Sequence, residues 1–247
     1  MVWSFGSASF APASLGALQE SGALAASRPL LTAEQLIELQ SRRSRFVKRT
    51  GDIIFSLAVL SLGSPIYILL GLLVKLTSRG PVFYVQQRVG RDYRSFGCIK
   101  FRTMRRDADR VLGVLLAESP DLAEEFRNDF KLKNDPRITR LGKFLRRSSL
   151  DELPQFVNVL RGQMSVVGPR PIVTKELPRY GVAMDEVLAV RPGLTGLWQV
   201  SGRNNLSYEE RVGLDMRYAR SRSFRMDLGI ILRTIGVILD PRDRGAY

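Results

Sequence analysis

The chain of 247 residues contains no histidine. That absence removes the commonest general base, every Ser-His triad and the commonest transition-metal ligand together. There is one cysteine, Cys98, so neither a disulfide nor a thiolate zinc site can be assembled within the chain. Any catalysis therefore falls to carboxylates, Lys, Arg, Tyr or that single thiol. Cys98 lies in the alternating stretch Ser95-Phe96-Gly97-Cys98-Ile99-Lys100-Phe101, where a small buried core residue is expected. Acidic residues are comparatively few, 24 against 38 Lys and Arg, for a formal charge of +14. This excess implies an anionic partner, and nucleic acid, anionic lipid and a phosphorylated substrate all qualify.

The length suffices for one domain with a real core plus appendages. Residues 1–31 open with a stretch of Ala, Ser and Gly in which Glu20 is the only charge before Arg28. Such a segment buries too little apolar surface to offset its ordering entropy, so it is expected to be disordered. No basic residue precedes an apolar core there, which argues against a secretion signal. Thr32-Ala33-Glu34-Gln35 matches a capping box and opens an expected basic amphipathic helix over residues 32–50. That helix leads into Arg42, Arg43, Arg45, Lys48 and Arg49.

An uncharged apolar run follows from Ile53 to Val74. As a straight helix it would be about 33 Å long, enough to cross a bilayer. Ser64-Pro65 interrupts it. Pro65 lacks the amide that would bond the Ser61 carbonyl and its ring clashes there, so a kink is expected, with the Ser64 hydroxyl available to a freed carbonyl. Both flanks are basic, with Lys75 and Arg79 on the far side, which suits a segment that enters and leaves by one membrane face. A re-entrant hairpin over residues 51–78 is the favoured reading. A straight span and a buried soluble helix are the alternatives.

Beyond it, residues 79–247 are expected to form a single catalytic domain. Val82–Val85 and Phe96–Phe101 read as short strands around the turn Gly90-Arg91-Asp92-Tyr93, and helical patterns dominate thereafter. Ser119-Pro120 starts one helix with proline at its first position, and Asp135-Pro136 is placed to start another carrying Ile138, Leu141, Phe144 and Leu145. Arg137, Arg140, Lys143, Arg146 and Arg147 fall mostly off that stripe, either as a solvated face or as a phosphate-facing one. A last amphipathic segment spans about residues 227–239, with Leu228, Ile231, Leu232 and Ile235 on one side. The expected fold class is α+β, mainly helical: a re-entrant helix-break-helix and a cytoplasmic helical domain with a small β-hairpin.

Asp151 and Glu152 stand side by side just after Arg146 and Arg147. Ser149-Leu150-Asp151-Glu152 is itself a capping-box match, and the bland reading is that both acids complement a helix dipole. Leu153, Phe156, Val157 and Leu160 make the following helix credible. Pro154, however, would fall where a helix begun at Ser149 already requires an amide. The helix is therefore expected to start after the acids or to bend there. Placed at a helix mouth, one carboxylate could attack a phosphoryl group while the other holds a divalent cation, because phosphorus becomes a good electrophile once its oxygens are neutralised. Capping is much the commoner use of such acids, and the residues alone leave both readings open.

Several motifs in order settle on a resemblance. Ser64-Pro65, Lys100-Phe101-Arg102-Thr103-Met104, Asp135-Pro136-Arg137, the segment from Arg146 to Gln155, Gly168-Pro169-Arg170-Pro171, and the run from Arg191 to Gln199 followed by Ser201-Gly202-Arg203 resemble the bacterial monotopic phosphoglycosyl transferases. The similarity runs from about Lys48 to the C-terminus. It implies transfer of a sugar 1-phosphate from a UDP-sugar to polyprenyl (undecaprenyl) phosphate with release of UMP, at the start of exopolysaccharide or related glycan assembly. It also implies that Asp151 is the nucleophile, giving a covalent phosphosugar ester, that Glu152 and Asp151 hold Mg²⁺, and that Arg146 contacts phosphate. Arg170 and Arg203 are further expected ligands of the diphosphate or nucleotide, and Arg102 a weaker one. Gly and Pro around Arg170 suit a rigid loop approaching the substrate, or simply a structural turn. Trp198 could stack on a base, lie at the lipid interface, or be partly buried. Asp215, Tyr218, Ser223 and Asp227 belong to the similar region without a catalytic assignment.

Arg222 departs from the pattern, since an aromatic residue is common there. The chain also resembles the compact type rather than members with an N-terminal transmembrane bundle, and its closing Arg244-Gly245-Ala246-Tyr247 is similar to that of exopolysaccharide initiators. The resemblance implies the cytoplasmic face of the bacterial inner membrane, with anionic lipids as partners and no nucleic acid. A homo-oligomer is compatible with the sequence, and glucose or galactose phosphate is the expected cargo. The rival reading is a non-catalytic basic protein binding membrane or nucleic acid, which accounts for the charge but not for acids set among arginines.

Overall fold

The computed structural model describes residues 42–129 and 132–239. The expectations for residues 1–31, for the cap at Thr32 and for the C-terminal tail fall outside those residues. Helix α1 (Arg42–Leu62) runs from the basic segment into the apolar run without a break between residues 50 and 51. Helix α2 (Ser64–Thr77) follows at once, bent from α1 by 63°. The bend has the cause anticipated from Pro65. The Ser61 carbonyl, denied its amide partner, accepts a 2.9 Å hydrogen bond from Ser64 Oγ. Gly63 sits at the joint because a Cβ there would lie 2.5 Å from the Val59 carbonyl oxygen. Among the described residues no single helix is long and apolar enough to cross a membrane, though the bent pair together is.

Helix α1 wears its polarity inside out, whereas α2 buries Leu70 and Val74 and exposes the rest of its apolar surface. Asp52 and Ser56 are buried, whereas Ile54, Leu57, Leu62, Ile66, Ile68, Leu72 and Leu76 are exposed. Polar groups of α1 fasten it to the domain through Arg49 and Asp52, whose buried or half-buried charges are hydrogen-bonded. Arg49 donates to the carbonyls of Val159 and Leu160 at 2.6 and 2.8 Å. Asp52 accepts from Ser165 Oγ and the Val166 amide, both at 3.0 Å.

Strands β1 (Phe83–Val89) and β2 (Ser95–Phe101) form the expected antiparallel hairpin, with Phe83 opposite Phe101 and Arg88 opposite Phe96. Cys98 is fully buried within it, as expected of a small apolar residue on the inner face. Helices α3 (Ala108–Glu118) and α4 (Pro120–Asp129) follow, the latter beginning at its proline.

The helix expected from Asp135-Pro136 starts later. Helix α5 spans Arg140–Arg147 and is capped by Thr139, whose side chain accepts from the Gly142 amide. Asp135 is not its cap, because its carboxylate is held by Arg137 in a buried pair at 2.6 Å. Ile138 bridges to Met104 instead. Gly142 allows α5 to lie against the chain beyond β2, since a Cβ there would fall 2.0 Å from the Thr103 carbonyl oxygen.

Helix α6 (Gln155–Leu160) starts after the acid pair. Its buried positions include Gln155 and Asn158 as well as Phe156 and Val159, which is not the simple apolar stripe its pattern suggested. The Asn158 amide group accepts from the Ile99 amide at 3.0 Å and donates to the Gly97 carbonyl at 2.7 Å, so a polar residue stitches α6 to the hairpin.

A second sheet was not anticipated. Strand β3 (Ser165–Val167) leads through the short helices α7 (Leu177–Tyr180) and α8 (Met184–Leu188) to β4 (Gly193–Thr195), and β3 and β4 pair in parallel. Three-residue strands leave too little alternation to read. Helices α9 (Tyr208–Ser221) and α10 (Phe224–Leu239) complete the chain. The α10 stripe faces outward: Leu228, Leu232 and Ile235 are exposed, and Ile230 is the buried residue. The main core joins β2, α6, β3 and α9 through Phe96, Phe156, Val159, Val167 and Tyr218.

Candidate active site

Between α5 and α6 the chain makes one tight turn. Ser149 takes left-handed φ of 57°, and a single 3-10 turn, Leu150–Glu152, carries both acids before Pro154 admits α6. Ser149 caps nothing with its side chain, and the Glu152 carboxylate reaches across to Lys100 Nζ at 2.6 Å. The capping-box account of these residue types therefore fails. Left-handed backbone in a residue other than glycine is uncommon and gathers at functional sites.

The two carboxyls have unequal surroundings. Asp151 is buried, and burial together with the neighbouring Glu152 charge raises it to about 6 against the pull of Lys100 and Arg146. Glu152 goes the other way. Burial resists its ionisation, yet Lys100, with Arg170 and Arg88 beyond, holds its carboxyl below the usual range. Adjacent acids pushed apart in this way divide into a poised, basic oxygen and a permanent anion.

Cations come from four separate elements. Lys100 stands on β2. Arg88 on β1 is buried, donating to the Pro171 carbonyl at 2.9 Å and to Gln86 Oε1 at 2.7 Å, and its Nε is without a partner. Arg146 closes α5, with Nε donating to Thr103 Oγ1 at 2.9 Å. Arg170 lies in the loop after β3, 5.9 Å from the Trp198 ring centroid. Arg88 and Arg146 are both depressed from the usual guanidinium value, first by burial, and Arg88 also by the charge of Arg170. An anion placed among them would relieve that cost.

The loop holding Arg170 is built by interlocked glycines. A Cβ on Gly193 would lie 2.1 Å from the Gly168 nitrogen, one on Gly168 2.4 Å from the Arg191 carbonyl, and one on Gly196 2.3 Å from the Gly168 carbonyl. Close backbone approach is what positions Arg170 and Trp198, the structural reading of the motif. Trp198 is buried, and Arg211 of α9 also lies over its ring at 5.2 Å.

The structure thus gathers Asp151, Glu152, Arg146 and Arg170. Arg203 stands on the 3-10 turn Arg203–Asn205, after Trp198, with a left-handed φ of 50°. Arg102 is directed elsewhere, donating from Nη2 to the Ser78 carbonyl and hydroxyl at 2.7 Å and so clasping the end of α2. Ser64 and Pro65 shape the helix joint. Lys100 and Arg88 were not singled out from sequence. Their signal was a cation alternating with core residues on a half-buried strand, a pattern also common in solvated edges. Among the described residues no third acidic, cysteine or histidine side chain joins the acid pair as a ready metal cage.

Comparison with known proteins identifies the family. The description "Bacterial sugar transferase" matches residues 43–241. The chain is 50% identical over 209 residues, 85% of its length, to the undecaprenyl-phosphate galactose phosphotransferase of Salmonella typhimurium, of which it spans only 43%. It is 48% identical over 200 residues to the exopolysaccharide production protein ExoY of Rhizobium meliloti, covering 81% of this chain and 88% of that protein. It is 37% identical over 201 residues, 78% of its length, to the UDP-glucose:undecaprenyl-phosphate glucose-1-phosphate transferase of Escherichia coli, of which it spans 40%. A match over most of the chain and identities of this size leave one conclusion: the chain belongs to the bacterial sugar transferase family.

Proposed function

We propose that the protein transfers a sugar 1-phosphate from a UDP-sugar to undecaprenyl phosphate in two steps. The observation that carries this reading is the buried Asp151, raised to about 6, beside an ionised Glu152 and among Lys100, Arg146, Arg88 and Arg170. An Asp151 oxygen attacks the phosphorus next to the sugar, and the bridging P–O bond breaks to release UMP. The aspartyl phosphosugar is then attacked by an oxygen of the lipid phosphate, which frees the Asp151 carboxylate and leaves the sugar on a lipid diphosphate. Arg146 and Arg170 oppose charge on the phosphoryl oxygens, and Trp198 offers a rigid surface flanking the nucleotide side.

Two carboxylates without a third suit Mg²⁺, which keeps waters and takes substrate phosphate as ligand. Glu152 and Asp151 would hold it, and when bound it neutralises charge on the phosphate under attack. The exposed apolar faces of α1 and α2, bent at Ser64-Pro65, support a re-entrant seat in the cytoplasmic membrane with the domain on the cytoplasmic side.

The relative at 50% identity is named for galactose and that at 37% for glucose, so galactose 1-phosphate is the first cargo to test. The full chain in lipid nanodiscs with undecaprenyl phosphate and Mg²⁺ should release UMP from UDP-galactose or UDP-glucose. An acid-quenched sample lacking acceptor should show a hexose-phosphate adduct that Asp151→Asn cannot form. Retained turnover in Asp151→Asn would remove the nucleophile assignment. No turnover with any UDP-sugar would favour a non-catalytic basic membrane protein.

A further inference from the structure

A second basic cluster lies away from the acid pair. A cavity is lined by Arg45, Lys48, Asp52, Arg91, Arg191 and Arg222. It sits at the opposite end of the β3–β4 pair from the catalytic residues: Ser165, the first residue of β3, lines it, and Arg191 precedes β4, whereas Arg170 and Trp198 follow those strands.

The charges around this cavity do not cancel. Lys48 is paired with Asp227 at 2.7 Å, and Arg91 with Asp92 at 3.0 Å. Asp52 is engaged by Ser165 and Val166. Arg191 donates Nε to the Gly162 carbonyl at 2.8 Å, an uncharged partner. Among the described residues Arg45, Arg191 and Arg222 have no carboxylate within ion-pair distance. Arg191 is depressed by burial and then by the charges of Arg91, Arg49 and Arg222, against the Asp52 carboxylate. Arg222 is depressed by burial, with Arg45 and Arg91 adding to it against Tyr218 and Asp227. The converging guanidiniums outnumber the nearby carboxylates of Asp52 and Asp227 and leave the cavity with an excess of positive charge.

The exposed side chains on the neighbouring helices say what kind of anion fits. Phe46 and Val47, between Arg45 and Lys48, are 74% and 49% exposed, and Phe224, two residues after Arg222, is 70% exposed. The Lys48–Asp227 pair brings the two helices carrying them together. A phosphate carrying acyl chains matches a cationic cavity next to helices with exposed apolar side chains better than a free ion does.

We propose that Arg45, Arg191 and Arg222 form a binding site, separate from the catalytic centre, for the phosphate of an anionic phospholipid. The site shares with the proposed function only the premise that the bent helix pair meets a bilayer. Stable reconstitution in phosphatidylcholine nanodiscs tests that premise by itself.

The test is lipid retention by the full chain in detergent micelles, counted by native mass spectrometry during titration with phosphatidylglycerol, phosphatidylcholine or inorganic phosphate. Wild type and Asp151→Asn should each retain one phosphatidylglycerol in preference to phosphatidylcholine. The double variant Arg45→Gln/Arg222→Gln should weaken retention about thirtyfold, and Arg45→Lys/Arg222→Lys should recover most of it. An exposed control pair, Arg127→Gln/Arg217→Gln, removes equal charge and should leave retention within about threefold, consistent with screened surface charge. Circular dichroism establishes that each variant is folded. If the double Gln variant unfolds, Arg222→Gln alone carries the test with an expected loss of about fivefold. Equal losses in the control pair would reduce the effect to general electrostatics. Displacement of the lipid by inorganic phosphate at equal concentration would make this a free-phosphate site. Either result overturns the proposal.

Discussion

Tyr67 Oη, on the second arm of the bent helix pair, donates a 3.0 Å hydrogen bond to the carbonyl of Leu153, the residue that follows Glu152. The apolar helix is thereby bonded to the turn that carries both acids. Tyr67 also packs on Phe101 of β2, with ring centroids 6.3 Å apart. Seating of the helix pair and placement of the acid pair are consequently one mechanical problem.

Tyr67→Phe keeps the ring and deletes the bond. Stability should fall by about 1 kcal/mol, the net worth of one such hydrogen bond. Turnover should fall about tenfold with little change in donor KM, since small displacement of a reacting group acts on kcat. Steady-state kinetics with thermal unfolding of the same sample checks both. Unchanged kcat would show that the turn holds its position without α2.

Lys100 acts on both acids, holding Glu152 down and opposing the burial and Glu152 charge that raise Asp151. With Asp151 at about 6, kcat/KM should rise with a slope of one through that region and level off at neutral pH. Lys100 and Arg146 both pull Asp151 down, so Lys100→Met should move this limb to higher pH, whereas Lys100→Arg should leave it nearly in place. A pH–rate profile for the three proteins tests the assignment. An unmoved limb in Lys100→Met would mean that another group titrates.

Asp215 is wholly buried beneath Tyr180, whose hydroxyl donates to it at 3.2 Å, and burial raises it to about 8. Its folded value exceeds its unfolded one. The folded state therefore holds a proton that the unfolded state has lost, and the stability this group contributes at acid pH declines as pH rises through about 8. Asp215→Asn cannot titrate, so denaturant stability between pH 5 and about 8 should fall less steeply in the variant. Parallel curves would show that Asp215 does not titrate in this range.

Gly193→Ala is expected to destabilise the fold by about 3 kcal/mol or more, because the new methyl would meet Gly168 and Thr195 backbone rather than a movable side chain. Urea denaturation measures the loss. Gly113→Ala, on an open face of α3 where nothing lies within 4 Å, should be neutral or stabilising by comparison.

The helix joint was legible because its cause is local: a missing amide at Pro65 and a hydroxyl one residue before it. The same holds for the start of α4 at Pro120 and for the start of α6 after the acids, since proline geometry acts within one turn of helix. Asp135 misled, because an acid before proline suits a cap until a guanidinium two residues away claims it. Strands β3 and β4 were hidden for want of length. Arg102, part of a recognisable motif, turned out to bind the end of α2, and motif membership carries no information about which neighbour a side chain will meet.

What the sequence determined by itself was the chemistry permitted and the local backbone. No histidine and one cysteine left carboxylates and cations to do any work, and Pro65 and Pro154 set where helices bend or begin. Only the tertiary structure decided which carboxyl is basic and which is anionic. Asp151 and Glu152 are adjacent in the chain, yet one is buried and the other is joined to Lys100, 52 residues away. Local backbone preference is a property of neighbours in sequence. Desolvation and charge are properties of neighbours in space, which exist only once β2, α5 and the β3–β4 loop have packed around the turn.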